Sequence, residues 1–472
     1  MQILLYTERM NTIYNFLSNY AQRDIYPFHM PGHKRNPAFF PEGLFSMDVT
    51  EIPGADNLLD PRGIIADLQD RLARANGSGA SYITTNGSTG GVLAAVTAVA
   101  GRVEAGGEII IARNCHKSVY SALSINNLTP VYIYPQITDI HVAGGVDPED
   151  VRAALRLYPN AAAVVLTSPT YEGFVSDIKA IVEIAHQYKT PVIVDEAHGA
   201  HFCFSDRFPI TSNLCGADIV VQSLHKQLPI MSQMAVVHVN GNLVPGEKVK
   251  ASLNIFQTTS PSYVLLAQAD YALNLLEGYP GIIGRYIEAL ESFRGGFPRN
   301  LDLSLIGCEY RRKNSIYAID PAKLVFYSKN GCLGEEIERH ILEYKIQLEM
   351  SGAAHAVALT TCADTAEGFS RLVSAAKTFV GTPKKVFAET VETMRDMPKA
   401  EVVMPPREAI MGSSTPRSLE DSVGMVSAGF VIPYPPGIPL VAPGERITPE
   451  VVGFIRQNPT RVIGADMILT LD

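Results

Sequence analysis

Between residues 80 and 240 the chain switches repeatedly between short apolar runs and stretches with a helical period. Ser81–Thr84, Glu108–Ala112, Val131–Tyr134, Ala163–Leu166, Pro191–Val194 and Ala217–Val221 read as buried strands. Gly90–Ala100, the segment after His116 and Ile178–Tyr188 read as the helices between them. This alternation predicts parallel βαβ units and a doubly wound sheet. Upstream, Ile64, Ile65, Leu68 and Leu72 recur with a helical period, and residues 1–20 predict an amphipathic helix with Ile13, Phe16 and Leu17 on one face. The segment between, residues 26–43, carries Pro27, Pro31, Gly32, Pro37 and Pro41 and predicts an irregular stretch wrapped on a surface.

Downstream, residues 261–290 predict helix, broken at Gly278–Tyr279–Pro280–Gly281. Beyond about residue 300, strands at Lys323–Tyr327 and Ala356–Thr360 mix with helices at Glu335–Leu342 and Ala366–Phe379. Five prolines in Val431–Pro443 exclude a central strand there. The expected fold class is α/β: a mostly parallel, doubly wound sheet in a large domain, with a smaller α+β C-terminal domain. The expected boundaries are 1–62 for an N-terminal helix and wrapping segment, 63–298 for the large domain and 299–472 for the C-terminal domain.

Composition narrows the function classes. The 472 residues carry a net charge of −9, so no global basic field draws nucleic acid or an anionic membrane. Hydrophobic residues make up 46% and charged residues 18%, the balance of a soluble globular enzyme. Six scattered cysteines without a C-x-x-C pair predict neither a disulfide framework nor a zinc ribbon, and suit a reducing cytosol. Ile3–Leu5 is too short for a signal-peptide core, and no apolar run approaches the ~20 residues of a membrane span. The expectation is a cytoplasmic protein.

Candidate chemistry gathers where predicted strands end. In an open parallel sheet, ligands bind outside the carboxyl ends of the strands. One apolar run ends on Asp195–Glu196 and the next runs out into Ser223, His225 and Lys226. An acid and a lysine sharing one crevice match the needs of pyridoxal phosphate chemistry: a carboxylate for the ring nitrogen and an amine able to form an imine. Lys226, beside cationic neighbours and partly buried, would have the lowered pKa of a nucleophile. Thr84–Gly91 (TTNGSTGG) lies between a strand and a helix; its glycines and hydroxyls suit either a phosphate cradle or an ordinary helix cap by Ser88 or Thr89. No G-K-[ST] follows, so it is not a Walker A loop, and Asp195–His198 (DEAH) has no P-loop to serve as a helicase box. His198 and His201 have a spacing open to metal, without an evident third ligand. His116 follows another strand end, and Cys115 reads as a small core residue.

Taken in order, these segments resemble the pyridoxal-phosphate-dependent ornithine/lysine/arginine decarboxylases of the aspartate-aminotransferase fold (type I), in the shorter bacterial form without an N-terminal wing domain. The match includes FHMPGHKRN at 28–36, DVTEIPGADNL at 48–58, TTNGSTGG at 84–91 and RNCHKS at 113–118. It continues with SPTYEGFVSDI at 168–178, DEAHGAHF at 195–202, QSLHK at 222–226, TTSPSY at 258–263 and PYPPGIPLVAPGE at 433–445. The resemblance implies that Lys226 binds the cofactor covalently, Asp195 pairs with the ring nitrogen and His116 stacks on the ring. It implies that Ala197 lies against the ring with His198 nearby. Gly87, Ser88, Thr89 and Gly90, with Ser223 and His225, would hold the phosphate, and Thr258 or Thr259 would reach it from the neighbouring subunit of a homodimer. The implied reaction releases carbon dioxide from arginine, lysine or ornithine and leaves the amine. An aminotransferase or another carbon–carbon lyase is the alternative on the same scaffold. Met425, Gly429 and the EMSG stretch at 349–352 depart from the family pattern near the substrate entrance, and Glu445 is a candidate for the substrate's distal cationic group.

Overall fold

A computed structural model describes residues 26–28, 34, 36–39, 51, 54–241, 243–381, 399–433, 437–457, 462–464 and 467–472. The helix expected over residues 1–20 lies outside the described residues.

Seven strands form the central sheet: β1 Ala80–Thr84, β2 Glu108–Ala112, β3 Thr129–Ile133, β4 Val164–Thr167, β5 Val192–Asp195, β6 Ile219–Ser223 and β7 Ala235–Val239. Their spatial order is β1-β7-β6-β5-β4-β2-β3. The run from β6 to β3 is parallel, and β7 opposes both of its neighbours. The parallel strands are near-continuous Val and Ile because helices cover both faces, which leaves no polar alternation to read. β7 was not among the strands expected from sequence. Its apolar run is interrupted by His238, which the sheet accepts because the ring bonds to Ser81 Oγ (2.6 Å) and to Gln222 Oε1 (3.1 Å).

The covering helices include α1 Ile64–Asn76, α2 Gly87–Ala100, α3 Lys117–Asn126, α4 Pro148–Leu157 and α5 Ile178–Gln187. Helix α2 is apolar nearly all round and runs through the core rather than over it. Its approach to the sheet is set by Gly91: a Cβ there would come within 2.8 Å of Val221 and 2.9 Å of Val237. A short helical turn, α6 Leu224–Gln227, follows β6 directly, so Lys226 sits on this turn and not on the strand itself. Helices α7 Gly246–Phe256, α8 Tyr263–Gly278 and α9 Gly281–Gly296 follow, the last two separated at Tyr279–Pro280 where the sequence predicts a break.

The smaller sheet comprises β8 Leu303–Leu305, β9 Lys323–Ser328, β10 Met350–Ser351 and β11 His355–Leu359, in the antiparallel order β8-β9-β11-β10. Helices α10 Gly334–Glu343 and α11 Ala366–Thr378 pack on it. Part of the Pro/Gly-rich segment departs from expectation: Tyr26–Phe28 is a short strand, paired in parallel with Ile346–Leu348, and Phe28 is fully buried. Edge pairing tolerates the proline that seemed to exclude regular structure. Val431, Val441, Ile447, Val452, Ile455 and Ile468 make a separate small core near the C-terminus.

Candidate active site

Strands β5 and β6 are neighbours, with Asp195 opposite Val221, so Asp195 and the α6 turn share one end of the sheet. Asp195 is buried, and Oδ1 accepts from the Ala197 N–H at 3.2 Å. Burial raises its carboxyl above the usual range, while the Lys226 charge and the Ala197 N–H pull the other way. Burial likewise lowers the Lys226 amine, against the opposing fields of Asp195 and Glu349. Lys226 Nζ lies 3.1 Å from His198 Nε2. The sequence-predicted acid, lysine and histidine are therefore brought together.

His116 caps α3: its Nδ1 accepts from the Ser118 N–H at 3.2 Å. Burial first, then the nearby Lys226 charge, push this ring down to about 4, so it is neutral at pH 7 with the proton on Nε2. His225 is pushed to about 4 by burial, and its Nδ1 lies 3.2 Å from the Met234 carbonyl, to which it donates. Ala197 and His198 are buried; Tyr171 packs on the His198 ring with centroids 4.6 Å apart. Cys115 is fully buried and its thiol is pushed up to about 12 by burial, as befits a core residue.

The loop at 84–91 does not cap its helix with a side chain. Asn86 is the N-cap residue and makes no capping hydrogen bond, while its amide turns instead to the Phe256 carbonyl. Ser88 and Thr89 lie in the first turn of α2, so the open helix end faces the loop. Gly87 adopts φ +67°, and its N–H donates to the Gln233 carbonyl at 2.7 Å. At its other end the Gln233 segment meets α6, where Leu224 N–H donates to the Met234 carbonyl at 3.0 Å and Ser223 pairs with Ala235. The loop and the lysine turn are thus pinned to one short return of the chain. Thr85 Oγ1 and Asn114 Oδ1, just beyond β1 and β2, are buried without a hydrogen-bond partner among the described residues. Buried polar atoms of this kind ask for a polar ligand, and with the open helix end, Asp195 and Lys226 they fit a phosphorylated, aldehyde-bearing cofactor.

Four placements correct or extend the sequence reading. Glu445 does not face an open crevice: it is buried, its Oε1 accepts from Tyr132 (2.5 Å), and its Oε2 accepts from Ala442 N–H (2.8 Å) and faces Arg113 (3.3 Å). Its cationic partner belongs to the chain itself. Glu196, the second acid of the DEAH stretch, is a buried hub that accepts from Thr211, the Ser212 N–H and Gln222. His198 and His201 diverge, the latter bonding Asp320 at 3.1 Å and packing on Phe208. Thr258 and Thr259 are exposed, on the loop between α7 and α8. Sequence reasoning missed Lys323. It opens β9, is 1% exposed, and its Nζ reaches His198 Nδ1 at 2.9 Å. The available signal was a lysine heading an otherwise apolar strand, two residues after Asp320–Pro321.

The major domain of the Orn/Lys/Arg decarboxylases matches residues 11–334, and their C-terminal domain matches residues 387–459. The chain belongs to the Orn/Lys/Arg decarboxylase family. As a member it is a pyridoxal-phosphate-dependent amino-acid decarboxylase. This decarboxylase is 32% identical over 459 residues to the arginine decarboxylase of Bacillus subtilis (strain 168), covering 94% of this chain and 93% of that one. It is 33% identical over 451 residues to the arginine decarboxylase of Halalkalibacterium halodurans, covering 93% and 91%. Lysine decarboxylase A from Pseudomonas aeruginosa superposes with a TM-score of 0.76 at 20% identity, over 94% of this decarboxylase and 78% of that chain. The fold is that of the type I pyridoxal-phosphate enzymes, as the sequence resemblance implies.

Proposed function

We propose that this chain decarboxylates a basic L-amino acid, arginine ahead of lysine and ornithine, as a cytoplasmic homodimer. The observation that carries the reading is the meeting of Asp195, Lys226 and His198 at adjacent strand ends, beside an uncapped helix end. Lys226, with its amine held toward the neutral form by burial, would bind pyridoxal phosphate covalently. Gly87–Gly90, Ser223 and His225 would hold the phosphate, Asp195 the proton on the ring nitrogen, and His116, Ala197 and His198 the ring. When bound, the cofactor supplies an electron sink for the pair released as the bond to the carboxylate breaks. His225 donates through Nδ1 to Met234, so it would serve a phosphate oxygen through Nε2 in its protonated form, which the phosphate's own charge favours.

The preference for arginine is supported by the two relatives named as arginine decarboxylases, both matched nearly end to end. Glu349, which accepts from the hydroxyl of Tyr171 where that ring packs on His198, would take over from Glu445 as the carboxylate for the substrate's distal group. Exposed Thr258 and Thr259 would complete the partner's phosphate site, and scattered cysteines without a C-x-x-C pair suit the cytoplasm. The division into 1–62, 63–298 and 299–472 stays part of the proposal.

Carbon dioxide and amine are to be measured with the cofactor and each of arginine, lysine and ornithine. Release from one of them, fastest with arginine, is expected. A keto acid product would instead establish the aminotransferase alternative, and no turnover of any of the three would overturn the reading.

A further inference from the structure

His198 stands between two buried amines. Its Nε2 is 3.1 Å from Lys226 Nζ and its Nδ1 is 2.9 Å from Lys323 Nζ. A neutral imidazole carries one N–H. It can therefore donate to one amine and must accept from the other. If Lys323 is the ammonium, it donates to Nδ1, the ring proton lies on Nε2, and Nε2–H donates to the lone pair of a neutral Lys226. The opposite arrangement makes Lys226 the ammonium and Lys323 the neutral amine.

We propose that Lys323 is a positioning residue which, through His198, holds the Lys226 amine neutral and exchanges a proton with it. In the exchange the Lys323 ammonium gives a proton to Nδ1 as Nε2 gives its proton to Lys226. One N–H bond breaks and one forms at each end, and the total charge is unchanged. The inference rests on Lys226 being the nucleophile of the proposed function.

Opposite charge stands at both ends of the relay. Asp320, buried three residues before Lys323, is the largest opposite charge that Lys323 feels, and the Ala322 N–H and His201 donate to that carboxylate and keep it in place. Burial pushes Asp320 up, and His201, Lys323 and the Ala322 N–H together pull it below the usual range. On the other side Lys226 feels Asp195 and Glu349. On Lys323 the Lys226 charge opposes the ammonium, Glu349 supports it and Lys34 opposes it again. His116 and His225 face His198 as well, and both are neutral at pH 7. Burial brings Lys323 down to about 7, close enough to neutrality for the proton to leave it. Burial and the two lysine charges push His198 well below its ordinary value, so the ring itself stays neutral between them.

The test uses the full-length protein free of cofactor, so that it is independent of turnover. Trace acetylation with acetic anhydride, read by peptide mass spectrometry across pH, reports the midpoint at which Lys226 becomes a free amine. Lys323→Met is expected to raise that midpoint by about one pH unit, a roughly tenfold loss of free amine at neutral pH. His198→Phe, which keeps the ring and removes both nitrogens, is expected to raise it likewise. The double variant is expected to go no further than the larger single effect, the non-additivity of groups acting as a unit. Folding is checked by circular dichroism; should Lys323→Met not fold, His198→Phe decides alone. An unchanged Lys226 midpoint in the folded variants would overturn the relay and leave the decarboxylase reading standing. A raised midpoint with no carbon dioxide from any basic amino acid would do the reverse.

Discussion

The Arg113 guanidinium lies 3.3 Å from the Glu445 carboxylate, and the two side chains are 1% and 3% exposed. Arg113 also donates to the carbonyls of Pro439 (2.6 Å) and Leu440 (3.0 Å) and packs against the rings of Tyr120 and Tyr132. It therefore fastens the proline-rich stretch to the end of β2, immediately before His116. Removing one partner of a buried pair leaves an uncompensated charge, at a cost of about 3–5 kcal/mol. Glu445→Ala is expected to lower stability by that order in urea unfolding, with KM little changed in whatever folds. A raised KM at unchanged stability would return Glu445 to the substrate.

Lys226→Ala is expected to abolish carbon dioxide release and the visible absorption of bound cofactor together. Retention of either in the purified variant would remove Lys226 from its proposed role.

Asp195→Asn keeps the shape and deletes the charge. Losing one preorganised electrostatic group costs about 10²–10³ in kcat, and a loss of that order is expected in steady-state assays with added cofactor. A kcat within a few-fold of the parent would deny Asp195 contact with the ring nitrogen.

His238 is fully buried on Ser81 and Gln222, and burial pushes it to about 3 from an ordinary 6.5. Below pH 6.5 the unfolded chain takes up a proton that the native ring refuses, so stability is full above 6.5 and falls as pH drops toward 3. At pH 5 this amounts to about 2 kcal/mol. His238→Gln is expected to flatten that part of the pH dependence, measured as urea midpoints at pH 7 and pH 5. An equal acid sensitivity in parent and variant would place the effect elsewhere.

Shared sites predict complementation. Subunits carrying Lys226→Ala and subunits carrying Thr258→Ala with Thr259→Ala, mixed and reassociated at equal amounts, form half hybrids with one intact site each, so about a quarter of parental activity should return. Activity no greater than the sum of the separate variants would mean that each site is built within one subunit.

The strand ends were readable because parallel βαβ units leave long apolar runs that stop abruptly at polar residues, as at Asp195 and Ser223. What the runs could not show was the geometry between distant segments. Lys323 lies 125 residues from His198 and looks like an ordinary strand residue until β9 is packed beside the crevice. Glu445 was misread for the matching reason: an acid near a predicted entrance invites a cationic substrate, while its own arginine, 332 residues away, stays out of view. β7 was overlooked because a histidine in an apolar run reads as an interruption, and only a tertiary network of Ser81 and Gln222 makes that ring at home there.

The return from Ser223 to Ala235 begins and ends on one rung of an antiparallel ladder, and its Gln233 carbonyl also holds the Gly87 N–H. Lys226 and the mouth of the glycine loop consequently share a common datum in the main chain. Their separation is a property of one closed eyelet and not of how helices or the C-terminal lobe settle around it. Insertions into surface loops elsewhere can therefore reshape the substrate's path while this spacing stays constant, whereas a single residue added between Gln227 and Gln233 would move both ends of the site at once.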